Sequence, residues 1–297
     1  SEWENVIDAW GVQTLQDYLN LSRVGRKSKL GSNQRKALWS VFEETRKNLE
    51  RRKLTTWSKV FRELHLANDP FAHYDHVIID EAQDVSSAEL TFLAKHYGNK
   101  TNGLFFAGDI GQRIFRAPFS WSSLGIDIRG KANILKVNYR TSQQIRAQAD
   151  LLLPKTISDG DDQSEDRSDT ISVFRGERPK IILNDDTANE LNVVSEWITK
   201  QISLGIAPSE IGVFVRNEHL YKRAVNAIKE SGNTGVVLNY KLDGDDSSIN
   251  YGTMHLAKGL EFRSVAVIAC DHDVLPLKER INLFTEEADI EEVERTE

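Results

Sequence analysis

The sequence predicts an α/β protein built on mainly parallel sheets. Two observations carry that expectation. Short apolar runs of strand length alternate with longer helical patterns. Several of those runs end on polar residues able to do chemistry, and an open parallel sheet places its sites at the carboxyl ends of its strands. The 297 residues leave room for roughly two domains, and 39% hydrophobic with 28% charged residues is ordinary for a globular chain.

Residues 1–66 read as helical. Trp39, Phe42 and Leu49, then Trp57, Val60, Phe61 and Leu64, recur at spacings that place them on helix faces. The stretch from Gly25 to Gly31 reads as a loop, and Asn68-Asp69-Pro70 closes the region. Val77-Ile78-Ile79 is then expected as a short buried strand. Ser86 and Glu89 are spaced as a capping box that opens a helix. A second strand is expected over 104–107, closing on Gly108-Asp109. A third, over 134–137, runs into Asn138-Tyr139-Arg140, with Thr141 and Gln144 as the next capping box. The polar, acidic stretch from Ser158 to Ser168 reads as a linker or surface loop. After it come a strand over 180–183, a helix over 188–203, a strand over 211–215, a helix over 218–231 and a last buried strand over 265–269.

Bulk properties exclude several classes. No apolar run approaches the roughly 18 residues of a membrane span. Cys270 is the single cysteine, so a disulfide framework or a cysteine zinc site within the chain is excluded. The first residues carry neither the basic nor the apolar region of a signal peptide, and a cytoplasmic setting is expected. Net charge is −7, yet residues 21–62 hold thirteen Lys/Arg against three acids, a local +10 that leaves −17 on the remainder. That asymmetry reads as a basic face on an acidic body, or as a solvated helix surface.

The candidate chemistry lies at strand ends. Asp80 and Glu81 follow Val77-Ile78-Ile79 directly. One carboxylate there can hold Mg²⁺ while its neighbour orients and deprotonates an attacking water; as a bare pair they also read as a helix cap. Gly108-Asp109 with Gln112 repeats the arrangement, and a Gln there can sense a γ-phosphate or a water, or simply belong to a turn. Arg140 can fork onto phosphate and Tyr139 can stack on a base, or the pair can be surface residues. Residues 253–262 offer Thr253, His255, Lys258 and Glu261 around a glycine turn.

In order and approximate spacing, Asp80-Glu81-Ala82-Gln83-Asp84, the run GDIGQRIF at 108–115, NYRTSQQI at 138–145 and TMHLAKGLEF at 253–262 resemble motifs II, III, IV and V of the UvrD/Rep/PcrA-like superfamily 1 helicases. The resemblance covers roughly residues 70–275. It implies two RecA-like domains with ATP between them. Residues 1–70 would form a basic helical accessory segment, 71–132 part of the first RecA-like domain and 133–297 the second. It implies Asp80 as the Mg²⁺ carboxylate, Glu81 as general base, and Gln112 and Arg140 at the γ-phosphate. Tyr139 would stack near adenine, and Glu261 would lie near ribose or phosphates. Thr253, His255 and Lys258 would lie toward single-stranded DNA, on which the family moves 3′ to 5′. Phe115, Phe119 or Trp121 would stack on a base, and the expected partner is single-stranded or 3′-tailed duplex DNA.

The departures are as informative as the matches. The phosphate-cradling G-x-x-x-x-G-K-[ST] of motif I is missing, and Gly25 to Gly31 has the wrong spacing to replace it. Motif VI would follow the strand at 265–269, near where the sequence stops. Residue 1 is Ser and Met254 is the single methionine, so the sequence does not begin at an initiator; with motifs I and VI missing, both ends are expected to be cut. The large insertion that many relatives carry between motifs IV and V is expected to be reduced or missing. Two further readings remain beside a truncated helicase core. One is a degenerate helicase-like module that binds DNA or protein. The other is a Mg²⁺-dependent nuclease using Asp80, Glu81 and Asp109.

Overall fold

The computed structural model describes residues 2–21, 30–67, 74–109, 121–128, 130–151, 156–158, 164–166, 170–238 and 246–275. The chain forms two compact units, residues 1–179 and 180–297. Residues 133–179, which the resemblance assigns to the second RecA-like domain, fall in the first of these units.

The first unit opens with a π-helical turn, Trp3–Asp8, followed by α1 (Leu15–Asn20), α2 (Ser32–Arg51) and α3 (Trp57–Leu66). Thr14 and Thr56 cap α1 and α3 by accepting from Asp17 N–H and Lys59 N–H. Tyr18, Trp39 and Phe42 pack edge-on and stacked, with ring centroids 5.7–6.5 Å apart, over Val6, Ile7 and Val12. Three arginines of the basic stretch are committed to this core. Arg35 donates to the carbonyls of Tyr18 and Leu19, Arg46 to those of Val12 and Gln13, and Arg62 to that of Asp8. Part of the charge of the 21–62 stretch is therefore engaged with backbone carbonyls of this core. Gly11, at φ +64, leaves the space Arg62 needs, since a Cβ would lie 2.6 Å from its Cδ.

Next come β1 (Val77–Ile79), α4 (Ser87–Tyr97) and β2 (Leu104–Phe106), a β-α-β unit with β1 and β2 parallel in register Val77↔Leu104. The expected capping box is present: Ser86 Oγ accepts from Glu89 N–H at 3.3 Å and Glu89 accepts from Ser86 N–H at 2.7 Å. One sheet face buries Ile79 and Phe106 with Leu90 and Ala94 of α4. The other leaves the paired Ile78 and Phe105 at 75% and 61% exposure, so β1 is not the fully buried strand expected.

β3 (Val137–Asn138) is shorter than expected. α5 (Gln143–Asp150) is capped by Ser142, one residue later than expected. Gln144 does not close a capping box; its Oε1 instead accepts from Gly176 N–H at 2.8 Å. The hairpin β4 (Thr156–Ser158) with β5 (Ser164–Asp166) forms within the expected loop, and β6 (Ile171–Ser172) pairs parallel with β3.

The second unit holds α6 (Thr187–Ser203), β7 (Ile211–Val215), α7 (Tyr221–Glu230), β8 (Gly235–Val237), β9 (Ile249–Thr253) and β10 (Ser264–Val267). The sheet is wholly parallel in the order β10-β7-β9-β8. β7 is central and buried at all five positions, as its unbroken Ile-Gly-Val-Phe-Val run requires. Val194 and Ile198 of α6, with Ala224 and Ile228 of α7, complete the core. The expected strand over 180–183 does not form, and its residues are exposed. β10 is a half-exposed edge strand, not a buried one, because the sheet ends there.

Candidate active site and its strand-end loops

β1 and β2 end side by side, and the backbone joins their exits. Ala107 N–H donates to Ile79 O at 2.8 Å, and Ala82 N–H donates to Ala107 O at 2.9 Å. Asp80 and Glu81 project from this junction and are both exposed. Glu81 sits in the left-handed region, φ 50 and ψ 39, which is uncommon for a residue with a side chain and concentrates at functional turns. Asp80 Oδ1 accepts from Glu81 N–H at 2.9 Å and so fixes one of its own oxygens.

The organising residue is Gln83, which sequence reasoning passes over. It is buried, and its amide works in both directions. Nε2 donates to the Glu81 carboxylate, and Oε1 accepts from Asp109 N–H at 3.1 Å. Gly108 is required for this, because a Cβ there would lie 2.3 Å from Gln83 Oε1. This buried side chain ties the Glu81 carboxylate to the second strand end. The signal for it in the sequence is a polar residue, two after the acid, leading into a helix whose start is otherwise buried.

Asp80, Glu81 and Asp109 are therefore brought to one edge. Gln112, Phe115 and Phe119 lie outside the described residues. Trp121 does not serve as an exposed stacking ring: it is 7% exposed, with its ring 4.9 Å from that of Phe106. Its indole completes the core that Leu90, Leu124 and Ile126 begin, which corrects the expectation of a base platform there.

At the end of β3, Asn138 folds the next turn. Its Oδ1 accepts from Arg140 N–H at 2.8 Å and Thr141 N–H at 3.1 Å, and its Nδ2 donates to Thr141 Oγ1 at 2.8 Å. This Asx turn leaves Tyr139 at 71% exposure, and Arg140 is exposed beside it.

In the second unit, β9 delivers Thr253 to a tight turn. Leu256 and Ala257 N–H both donate to Thr253 O, and Gly259 takes φ +82 with nothing near its missing side chain, so conformation alone demands glycine. Thr253 is buried, whereas Glu261 is exposed and Lys258 is half-buried. His255 lies 3.2 Å from Arg216 Nη1, at the exit of β7. Burial, and then the Arg216 charge, lower the pKa of His255 from its ordinary 6.5. The unfolded chain then takes up this proton first as pH falls. Stability associated with His255 should be lost on acidification from about 6.5 down to its folded value, and be level below that. Urea melts at pH 7.5 and 5.5 should show a smaller acid loss for His255→Gln than for the parent; identical losses would remove His255 as the cause.

Among the described residues no group of three or more His, Cys, Asp or Glu is placed to hold a metal by itself. Asp80 nonetheless suits Mg²⁺, which is commonly held by one or two carboxylates, water and substrate phosphates.

Paired acids beyond a parallel β-α-β unit stand where an open parallel sheet places its sites. Residues 9–118 match the model of the UvrD/REP helicase N-terminal domain. That match spans little over a third of the chain, and over those residues the chain is similar to that domain. No curated protein matches it.

Proposed function

We propose that this chain is the core of an ATP-dependent DNA helicase or translocase that couples ATP hydrolysis to 3′–5′ movement on single-stranded DNA. The observation that carries the reading is the Asp80-Glu81 turn, held against the exit of β2 by Gln83 and matched within the family segment. Asp80 would hold Mg²⁺, which supplies charge neutralisation at the transferring phosphate. Glu81 would orient a water and accept its proton. Gln83 would keep the Glu81 carboxylate aimed. Tyr139, presented by the Asn138 turn, would stack on adenine, with Arg140 reaching phosphate. Glu261 would lie near ribose or phosphates, and Thr253, His255 and Lys258 would meet DNA. Gln112 and Phe115 keep their proposed places at the γ-phosphate and on a base. The functional division at 70/71 and 132/133 belongs to this same proposal, as does a cytoplasmic setting.

The residues fit the metal end of an ATP site better than the phosphate end. The sequence lacks the glycine-rich loop and lysine that hold β- and γ-phosphates. The chain by itself is therefore expected to turn over ATP at background rate, with or without single-stranded DNA. DNA-stimulated phosphate release by the purified chain would overturn that expectation. The alternative, a helicase-like binding module without ATPase activity, gains support if Glu81 is dispensable where a phosphate loop is present.

A further inference from the structure

The buried position of Trp121 leaves the question of where a base would stack, and the helical segment offers an aromatic whose spacing alone suggests core. Trp57 is the first residue of α3 and is 78% exposed. It follows a turn whose residues Arg51, Arg52, Lys53 and Leu54 are all exposed. The turn has fixed geometry. Lys53 N–H donates to Glu50 O at 3.0 Å and Leu54 N–H to Leu49 O at 2.9 Å, closing α2 in a Schellman motif. Lys53 occupies the left-handed position of that motif, φ 53, where glycine would fit without strain. A lysine kept there adds a cation to a rigid turn at a conformational cost. None of these residues is among the arginines committed to backbone carbonyls; Arg51 is held to Asn48, its neighbour on α2.

We propose that Trp57, with Arg51, Arg52 and Lys53, forms an accessory contact for single-stranded DNA, in which the indole stacks on a base and the turn follows the backbone phosphates. This rests on the proposal that the chain acts on DNA, and it adds a site outside the strand-end motifs. An exposed aromatic beside clustered cations is the combination that sequence-independent binding of single strands uses. Thr56 contributes rigidity: its side chain accepts from Lys59 N–H and donates to Asp8 Oδ1 at 2.6 Å. The ring is thus presented from a capped helix start.

The deciding experiment is anisotropy titration of the 297-residue chain with labelled oligo(dT) at two salt concentrations, with a blunt hairpin duplex as a second probe. Trp57→Ala should weaken oligo(dT) binding about tenfold, within the usual range for loss of one stacked base. Its thermal midpoint should be unchanged, and Trp57→Phe should restore most of the affinity. Lys53→Gly should separate charge from folding: the midpoint holds or rises while affinity drops and its salt dependence becomes shallower. If the parent chain binds oligo(dT) with a salt dependence and both variants match it, the accessory site is wrong while the DNA-binding reading stands. Equal losses on the duplex probe would overturn base stacking. Failure of the parent to bind either probe would overturn both.

Discussion

In any form of the protein that carries a phosphate loop, the proposed role of Glu81 predicts that Glu81→Gln should lower DNA-stimulated ATP hydrolysis by about 10²–10⁴, the usual worth of a general base. The substitution keeps shape and removes only basicity. Glu81 is exposed and its backbone is set by hydrogen bonds to Asp80 and between the two strand exits, so folding should be unaffected. Nucleotide binding, read with a non-hydrolysable analogue, should therefore survive. Gln83→Leu provides the paired control. It leaves Glu81 basic but removes the amide that holds it and leaves Asp109 N–H without that acceptor. It should cost stability of about 1–3 kcal/mol for the lost acceptor as well as rate. Glu81→Gln should cost rate alone. A Glu81→Gln enzyme with near-normal turnover would remove Glu81 from its assigned role and favour the binding-module reading.

The contrast between these two neighbours shows what the sequence can convey. By themselves Asp80 and Glu81 read as a helix cap, and they stand out as candidates because three further motifs follow in the order of the resemblance. Gln83 does not, because its importance arises only when β2 arrives beside β1 and places Asp109 N–H against it. Trp121 is misleading for a related reason. An aromatic after a glycine-containing stretch reads equally as a platform or as core, and the choice depends on whether Phe106 presents a ring to cover it. The fold divides in the same way. β7 is legible from its unbroken apolar run, which only a central parallel strand explains. β9, which separates β7 from β8, is not, because Ile-Asn-Tyr-Gly-Thr carries too little apolar pattern to announce a strand. The segment over 180–183 has the pattern but stays exposed and forms no strand.

The second large effect should come from a residue that no motif announces. Arg223 of α7 reaches across the second unit. Its Nε donates to Glu190 of α6 at 2.9 Å, and its other nitrogens bind Glu190 and Asp271. Glu190 also accepts from Ala269 N–H at 2.8 Å, immediately beyond β10. One guanidinium therefore ties two helices to the exit of an edge strand. Burial alone would lower its pKa, but the bonds to Asp271 and Glu190 raise it, so the network outweighs desolvation. Both partners of the Arg223–Glu190 pair are largely buried, at 17% and 14% side-chain exposure. Arg223→Met should then cost about 2–4 kcal/mol, somewhat below the roughly 3–5 typical when one partner of a fully buried pair is removed, because Asp271 is solvated. Arg223→Met with Glu190→Met should recover part of that loss, since no unpaired charge stays inside; Ala269 N–H would still lack its acceptor, so recovery should be incomplete. Urea unfolding of the four proteins closes the cycle. If the double variant is as unstable as the two single losses added together, the residues act independently and the network does not hold the edge strand.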